Sequence, residues 1–243
     1  MLTQSTTSYS DTDYHTWSVL FERQVKAVQQ FAYPHFWKGV QELGFTAGTI
    51  PDFDDINQRL AKLTGWSIYP VPGLIDNLLF FEQLYEKKFG TTNWLRKPEQ
   101  LDYLEEPDMF HDVFGHIPLL TDPFICSYLH VLAGIVIRHS DNEDIIEAIA
   151  RLYWYTIEFG LVKDGNELKI YGAGILSSIA ETKYSLSDEP AHVPFNVAEI
   201  VDTPYIKDSF QKQYFVVDSL QELEDAEDGL EEYLLAKFKR MDY

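Results

Sequence analysis

The sequence predicts a mainly α, single-domain fold, and three observations carry that prediction. Stretches with apolar residues at helical spacing dominate the chain. Runs that suit a strand are few, short and bounded by Pro or Gly. No repeat, low-complexity tract or linker divides the 243 residues, a length that one catalytic domain can reach. The polar segment 1–13 reads as loose, and 14–243 as the domain.

Taken in order, 14–43 has a helical pattern with Pro34 as a break. Residues 51–55 turn into a short helix at 56–63. Residues 66–71, closed by Pro70 and Pro72, form a short strand. A Leu- and Phe-rich helix is predicted over 74–89, and loop with at most one strand over 90–107. Residues 109–114 predict a helix that ends at Gly115 and Pro118. A second helix runs over 123–139. A third, capped by Asp141 or Asn142, reaches about residue 162. Strands are expected at 169–171 and 214–217, and helices at 177–184 and, in a strongly acidic terminal stretch, at 220–238.

Composition narrows function. The net charge of −20 opposes contact with phosphate backbones, so no nucleic-acid partner is expected. No stretch approaches the roughly 18 apolar residues of a membrane span. The N-terminus lacks a basic region followed by an apolar one, so a secretory signal is not expected. Cys126 is the only cysteine. It fits a reducing cytoplasm and excludes a cysteine-built metal site. Any metal must be held by His, Asp, Glu or water.

One segment stands out: Glu106-Pro107-Asp108-Met109-Phe110-His111-Asp112-Val113-Phe114-Gly115-His116. Five positions separate its histidines, and on a regular α-helix that rotates the side chains by about 140°. A helix end at Gly115 would turn His116 back toward His111. Glu158 lies in an almost wholly apolar stretch, Leu152–Val162, and a buried carboxylate needs a partner. Arg151 and Lys163 lie off its face. A metal held by His111, His116 and Glu158 supplies that partner. Two imidazoles and a carboxylate suit non-haem Fe(II) with open positions, and they equally suit a catalytic zinc hydrolase.

Three blocks then resemble the pterin-dependent aromatic amino acid hydroxylases, most nearly their short bacterial branch: 101–120, 151–161 and 171–178, in the family's order. The resemblance spans about 14–220. It implies an aromatic amino acid hydroxylase-like fold with Fe(2+) on His111, His116 and Glu158, a tetrahydropterin cosubstrate and O2. Gly73, Ile75, Phe80 and Tyr153 match the family's pterin-site positions, with Phe80 as the stacking ring. Asp112 stands where animal members carry Glu, and its shorter side chain favours a water-bridged contact. Arg96 matches the arginine that grips the substrate carboxylate through a bidentate fork. Pro107, Trp154, Phe159 and Gly174 would line the ring pocket. Ser177 and Ser178 would support the amino acid end and the iron ligands. Trp154 implies L-phenylalanine as the small-molecule substrate, hydroxylated to tyrosine. Tryptophan is the alternative, with a catalytically inactive binding relative as the contrast from another class. Neither the family's regulatory domain nor its tetramerisation helix fits within this length, so a monomer is expected.

Overall fold

The computed structural model describes residues 9–102, 104, 106–207 and 209–239. Most of the segment expected to be loose, 1–8, lies outside them. Helix α1 (Asp11–Phe31) starts earlier than the apolar pattern suggests, because Ser10 and Asp13 form a capping box: the Ser10 hydroxyl accepts the Asp13 N–H, and the Asp13 carboxylate accepts the Ser10 N–H. Pro34 separates α1 from α2 (Pro34–Glu42) by opening α2 at its first position, where no N–H is needed. Asp52 caps α3 (Phe53–Leu63).

Strand β1 (Ser67–Val71) pairs in parallel with β2 (Lys88–Thr92), and α4 (Asn77–Tyr85) crosses between them. The helix expected over 74–89 is therefore shorter. Asp76 caps its start, and Lys87, at φ 56°, turns the chain into β2. The strand anticipated within 90–107 is the end of β2.

The helix expected to stop at Gly115 does not stop there. Phe110–His116 is a π-helix that continues into a 3₁₀ segment, Ile117–Thr121. Glycine at 115 serves close packing: a Cβ there would lie 2.8 Å from the Ala173 carbonyl oxygen. Phe110 and Phe114 stack on each other (centroids 4.8 Å apart), and Trp17, Phe21 and Phe36 meet them edge-on from α1 and α2. This aromatic core fixes one face of the π-helix and so sets where the other face points.

Helix α5 (Pro123–Arg138) is buried along most of its length. Asn142, not Asp141, caps α6 (Glu143–Tyr153), which passes into a second π-helix, Trp154–Glu158. The helical stretch expected to reach residue 162 ends here. Gly160 lies so close to the Tyr171 ring that a Cβ would sit 2.2 Å from it, and β3 (Leu161–Asp164) follows. β3 pairs with β4 (Glu167–Ile170). After α7 (Ala173–Leu176) and α8 (Ile179–Ser185) come β5 (Ala191–Pro194), α9 (Val197–Asp202) and β6 (Gln213–Val217). The sheet order is β4-β3-β6-β5, with β6 parallel to both its neighbours. β3, β5 and α9 have no counterpart in the sequence-based expectation. The acidic terminal helix is two: α10 (Gln221–Asp225) and α11 (Leu230–Lys237), parted at Gly229, φ 77°. Among the described residues no single helix is long and apolar enough to cross a membrane.

Candidate metal centre

A π-helix closes its hydrogen bonds between residues five apart. His111 and His116 have that spacing, so the irregular turn brings both imidazoles to one face, where a regular α-helix would splay them. Glu158 ends the second π-helix and meets them from across the pocket. Its Oε1 lies 3.0 Å from His116 Nε2 and its Oε2 lies 3.9 Å from His111 Nε2, while the two Nε2 atoms are 3.3 Å apart. Two ligands about 2.1 Å from one metal ion and at right angles to each other are about 3 Å apart. The triangle has the size of a metal's facial ligand set, and among the described residues this is the one His/Cys/Asp/Glu group found close enough to hold an ion.

The hydrogen bonds around the triangle fit a cation. The Ser177 hydroxyl donates to the Gly174 carbonyl (3.2 Å), so it accepts from His111 Nδ1–H (2.9 Å) and leaves His111 Nε2 bare. Tyr153 donates to Glu158 Oε1 (3.4 Å), and its oxygen faces His116 Nδ1 at 3.5 Å. His111 Nε2, His116 Nε2 and the Glu158 carboxylate thus converge on one point. Burial pushes the His111 pKa down, against the pull of Glu158, which favours the neutral, ligating form. Burial would raise the Glu158 pKa, but the two histidines outweigh it and hold it below the ordinary carboxylate range. His116 is pushed the other way: burial lowers its pKa, and the adjacent Glu158 more than reverses that.

Asp112 is bonded to Thr92 and is not one of the converging ligands. Its Oδ2 accepts from both the N–H (2.7 Å) and the hydroxyl (2.8 Å) of Thr92 at the end of β2, and burial raises its pKa against those bonds. Tyr153 joins two parts of the site. Its hydroxyl reaches the ligands, and its ring meets that of Phe80 edge-on, with centroids 5.1 Å apart. Phe80 is half-buried on α4. Gly73 and Ile75 lie, also half-buried, in the turn before α4, whose Pro72 carbonyl accepts from the Trp94 indole (3.2 Å). A side chain at Gly73 would meet open space, so the backbone there is approachable.

Arg96 is not the surface arginine its neighbours Lys97 and Pro98 suggest. It is 9% exposed, and its Nε and Nη2 grip the fully buried Asp108 carboxylate at 2.9 and 2.8 Å. Asp108 also accepts the N–H of Arg96 and that of His111 (3.1 Å), tying this arginine to the start of the ligand helix. Arg96, Ser177 and Ser178 line one cleft with Gln24 and Phe110. Ser178 spends its hydroxyl on the Glu181 N–H, as the cap of α8. Half-buried Pro107 precedes Asp108. Trp154 lies against Phe159 (4.8 Å) and stacks on Tyr205 (4.7 Å, 23°). Gly174 packs on the ligand itself: a Cβ would stand 3.0 Å from Glu158 Oε2.

Of the residues singled out from the sequence, Tyr153, Ser177 and Gly174 meet the ligands directly, Arg96 reaches the ligand helix through Asp108, and Phe80 reaches the site through Tyr153. Sequence reasoning missed Asp108, Thr92, Tyr205, Gln211 and Glu181. Asp108 had a local signal, an acidic residue three positions before His111 at a helix start. Thr92, Tyr205 and Gln211 had none, since their partners lie 20 to 57 positions away.

Comparisons with known proteins agree with one another. The family described as biopterin-dependent aromatic amino acid hydroxylase matches residues 4–241. The phenylalanine-4-hydroxylase of Chromobacterium violaceum is 46% identical over 226 residues, which is 93% of this chain and 76% of that one. A solved structure of phenylalanine hydroxylase from that organism, with iron(III) and oxidised 7,8-dihydrobiopterin, superposes with a TM-score of 0.90 at 44% identity, covering 97% of this chain and 86% of that one. Another, with iron and phenylalanine, gives 0.91 at 41% identity, covering 99% and 87%.

Proposed function

The chain belongs to the biopterin-dependent aromatic amino acid hydroxylases, and on that premise we propose that it is a phenylalanine 4-monooxygenase. It converts L-phenylalanine to L-tyrosine with O2 and a tetrahydropterin, which leaves as the 4a-hydroxypterin. The observation that carries the reading is the convergence of His111 Nε2, His116 Nε2 and the Glu158 carboxylate on two π-helical turns. Fe(II) held there, together with a tetrahydropterin, supplies the activation of O2 for ring hydroxylation.

The protein's own residues bind, orient and exclude water. Ser177 holds His111 in the ligating tautomer, and the Tyr153 hydroxyl packs against His116 Nδ1 and Glu158 Oε1. The Arg96 fork is fixed in direction by Asp108, and its remaining N–H donors grip the substrate carboxylate in the cleft it shares with Ser177 and Ser178. Trp154, Phe159, Pro107 and Gly174 shape the slot for the substrate ring. Phe80 offers a ring face to the pterin, Gly73 and Ile75 offer backbone, and Tyr153 and Asp112 complete that side. No protein nucleophile takes part; positioning and a dry pocket are the protein's contribution. Residues 14–243 act as one catalytic unit, a cytoplasmic monomer on this reading; light scattering that gave a stable tetramer would correct it.

The test is metal-free protein reconstituted anaerobically with Fe(II), then given O2, tetrahydrobiopterin and phenylalanine. Tyrosine should form in step with pterin oxidation, and Zn2+ should not replace Fe(II). A kcat/KM for tryptophan far above that for phenylalanine would overturn the choice of substrate.

A further inference from the structure

Ser178 and Glu181 have the spacing of a helix capping box, but only half of it forms. The Ser178 hydroxyl accepts the Glu181 N–H (3.3 Å), while the Ser178 N–H bonds the Ile175 carbonyl (3.0 Å) and so does not need the Glu181 carboxylate. That carboxylate, 8% exposed, is used elsewhere. It accepts the Tyr214 hydroxyl at 2.7 Å. A buried carboxyl group is tolerated only when hydrogen-bonded, and here that bond fastens the chain within β6.

Gln211, 2% exposed, reaches Trp154 through its side chain. Its Oε1 accepts the Trp154 indole N–H at 3.2 Å, and its Nε2 donates to the Ile206 carbonyl at 2.6 Å. An indole only donates and a carbonyl only accepts, so both ends of the amide are used and its orientation is fixed. The Ile206 bond also holds the neighbouring Tyr205 against the Trp154 face. Trp154 is therefore held by the tilted Phe159 ring, the stacked Tyr205 ring and one hydrogen bond, of which the hydrogen bond alone fixes the direction of its N–H edge.

We propose that Gln211, its amide fixed between the Trp154 indole and the Ile206 carbonyl, is a positioning and specificity-determining residue that sets the tilt of Trp154 and so keeps the substrate slot narrow enough to favour a single six-membered ring over a bicyclic one. The inference rests on Trp154 being a wall of the substrate pocket. A wall ring free to rock admits the larger substrate and holds the smaller one less well.

The test is a double-mutant cycle of Gln211→Leu and Trp154→Phe, since phenylalanine has no indole N–H to lose. In the wild-type background, Gln211→Leu should raise KM for phenylalanine about tenfold, leave kcat within about twofold and cut the phenylalanine-over-tryptophan preference about tenfold. In the Trp154→Phe background the same substitution should shift that preference less than about twofold. Should Gln211→Leu fail to fold, the near-isosteric Gln211→Met, which has no donor for the Ile206 carbonyl and only a weakly accepting sulfur for the indole N–H, carries the same expectation in direction. Anaerobic calorimetry of phenylalanine and tryptophan binding to the Fe(II) protein gives the ratio without turnover. Protein that binds phenylalanine but forms no tyrosine would sink the functional reading, while the binding ratio still decides this one. An unchanged preference on Gln211→Leu, or an equal change in both backgrounds, would overturn the inference.

Discussion

His111, His116 and Glu158 sit on two π-helical turns, and each is held from a second direction: Ser177 behind His111, Tyr153 behind the other two, and Asp108 under the turn that carries His111. Trp154, four residues before Glu158, is held otherwise. One hydrogen bond to a side chain 57 positions downstream, one stacked tyrosine and the tilted Phe159 ring keep its ring in place. A ligand either completes the metal site or does not, so that wall should fail in a step. A ring wall fails by degrees, as its neighbours loosen.

The sharpest way to break the contrast is to remove a ligand. His111→Ala or Glu158→Ala should abolish iron binding and lower turnover on the order of 10³-fold or more, with the fold intact by circular dichroism. Metal analysis alongside activity decides it: a variant that kept its iron and a tenth of its activity would show that the ligand set has been misread.

Next in size is the support beneath that wall. Asp108→Ala would leave the Arg96 guanidinium buried without its partner, and breaking such a pair costs about 3–5 kcal/mol. Urea denaturation should show a loss of that order. The double variant Asp108→Leu with Arg96→Leu should lose much less, because no unpaired charge remains. Equal losses would mean that packing, not the charge, is what Asp108 provides.

The ligand wall was legible in the sequence because its parts are local. A His pair five apart and a Glu in an apolar helix are short-range patterns, and the resemblance added the neighbouring blocks. The conformation that makes them converge was not legible. Residues 109–116 fit an α-helix equally well, and the π-turn is imposed from outside, by Phe110 and Phe114 packing against Trp17, Phe21 and Phe36 and by Gly115 against Ala173. The ring wall was half legible. Trp154 was reached through the resemblance alone, whereas Tyr205, Gln211 and Glu181 act across distances at which sequence spacing carries no signal. The strands failed for a related reason: β3 and β5 are four residues each, and their pairing is long-range.

The buried Glu181 carboxyl can be probed through pH. Burial pushes it up to about 7 from an ordinary 4.5, against the bond from Tyr214. The folded protein thus keeps a proton that the unfolded chain releases above about pH 4.5. The associated stability is complete below that pH and is lost as pH rises through about 7, for a total of about 3 kcal/mol. Glu181→Gln cannot titrate. The difference in unfolding free energy between wild type and this variant should therefore fall between pH 5 and 7.5 and flatten above. A difference that stayed level, or grew with pH, would show that Glu181 is ionised in the folded protein throughout.

The smallest effect is expected at Ser177. Ser177 lines the cleft beside Arg96, yet its hydroxyl accepts His111 Nδ1–H and passes its own proton to the Gly174 carbonyl. Both of its hydrogen bonds are thereby committed to the ligand wall, which leaves little for the substrate. Ser177→Ala frees the imidazole to rotate and to place its proton on the ligating nitrogen. Iron affinity should fall about 10- to 100-fold. Saturating Fe(II) should then restore most of kcat, with KM for phenylalanine close to wild type. The reverse pattern, intact iron affinity with a raised KM, would move Ser177 from the metal to the substrate and erase the step-like behaviour on which the contrast between the two walls depends.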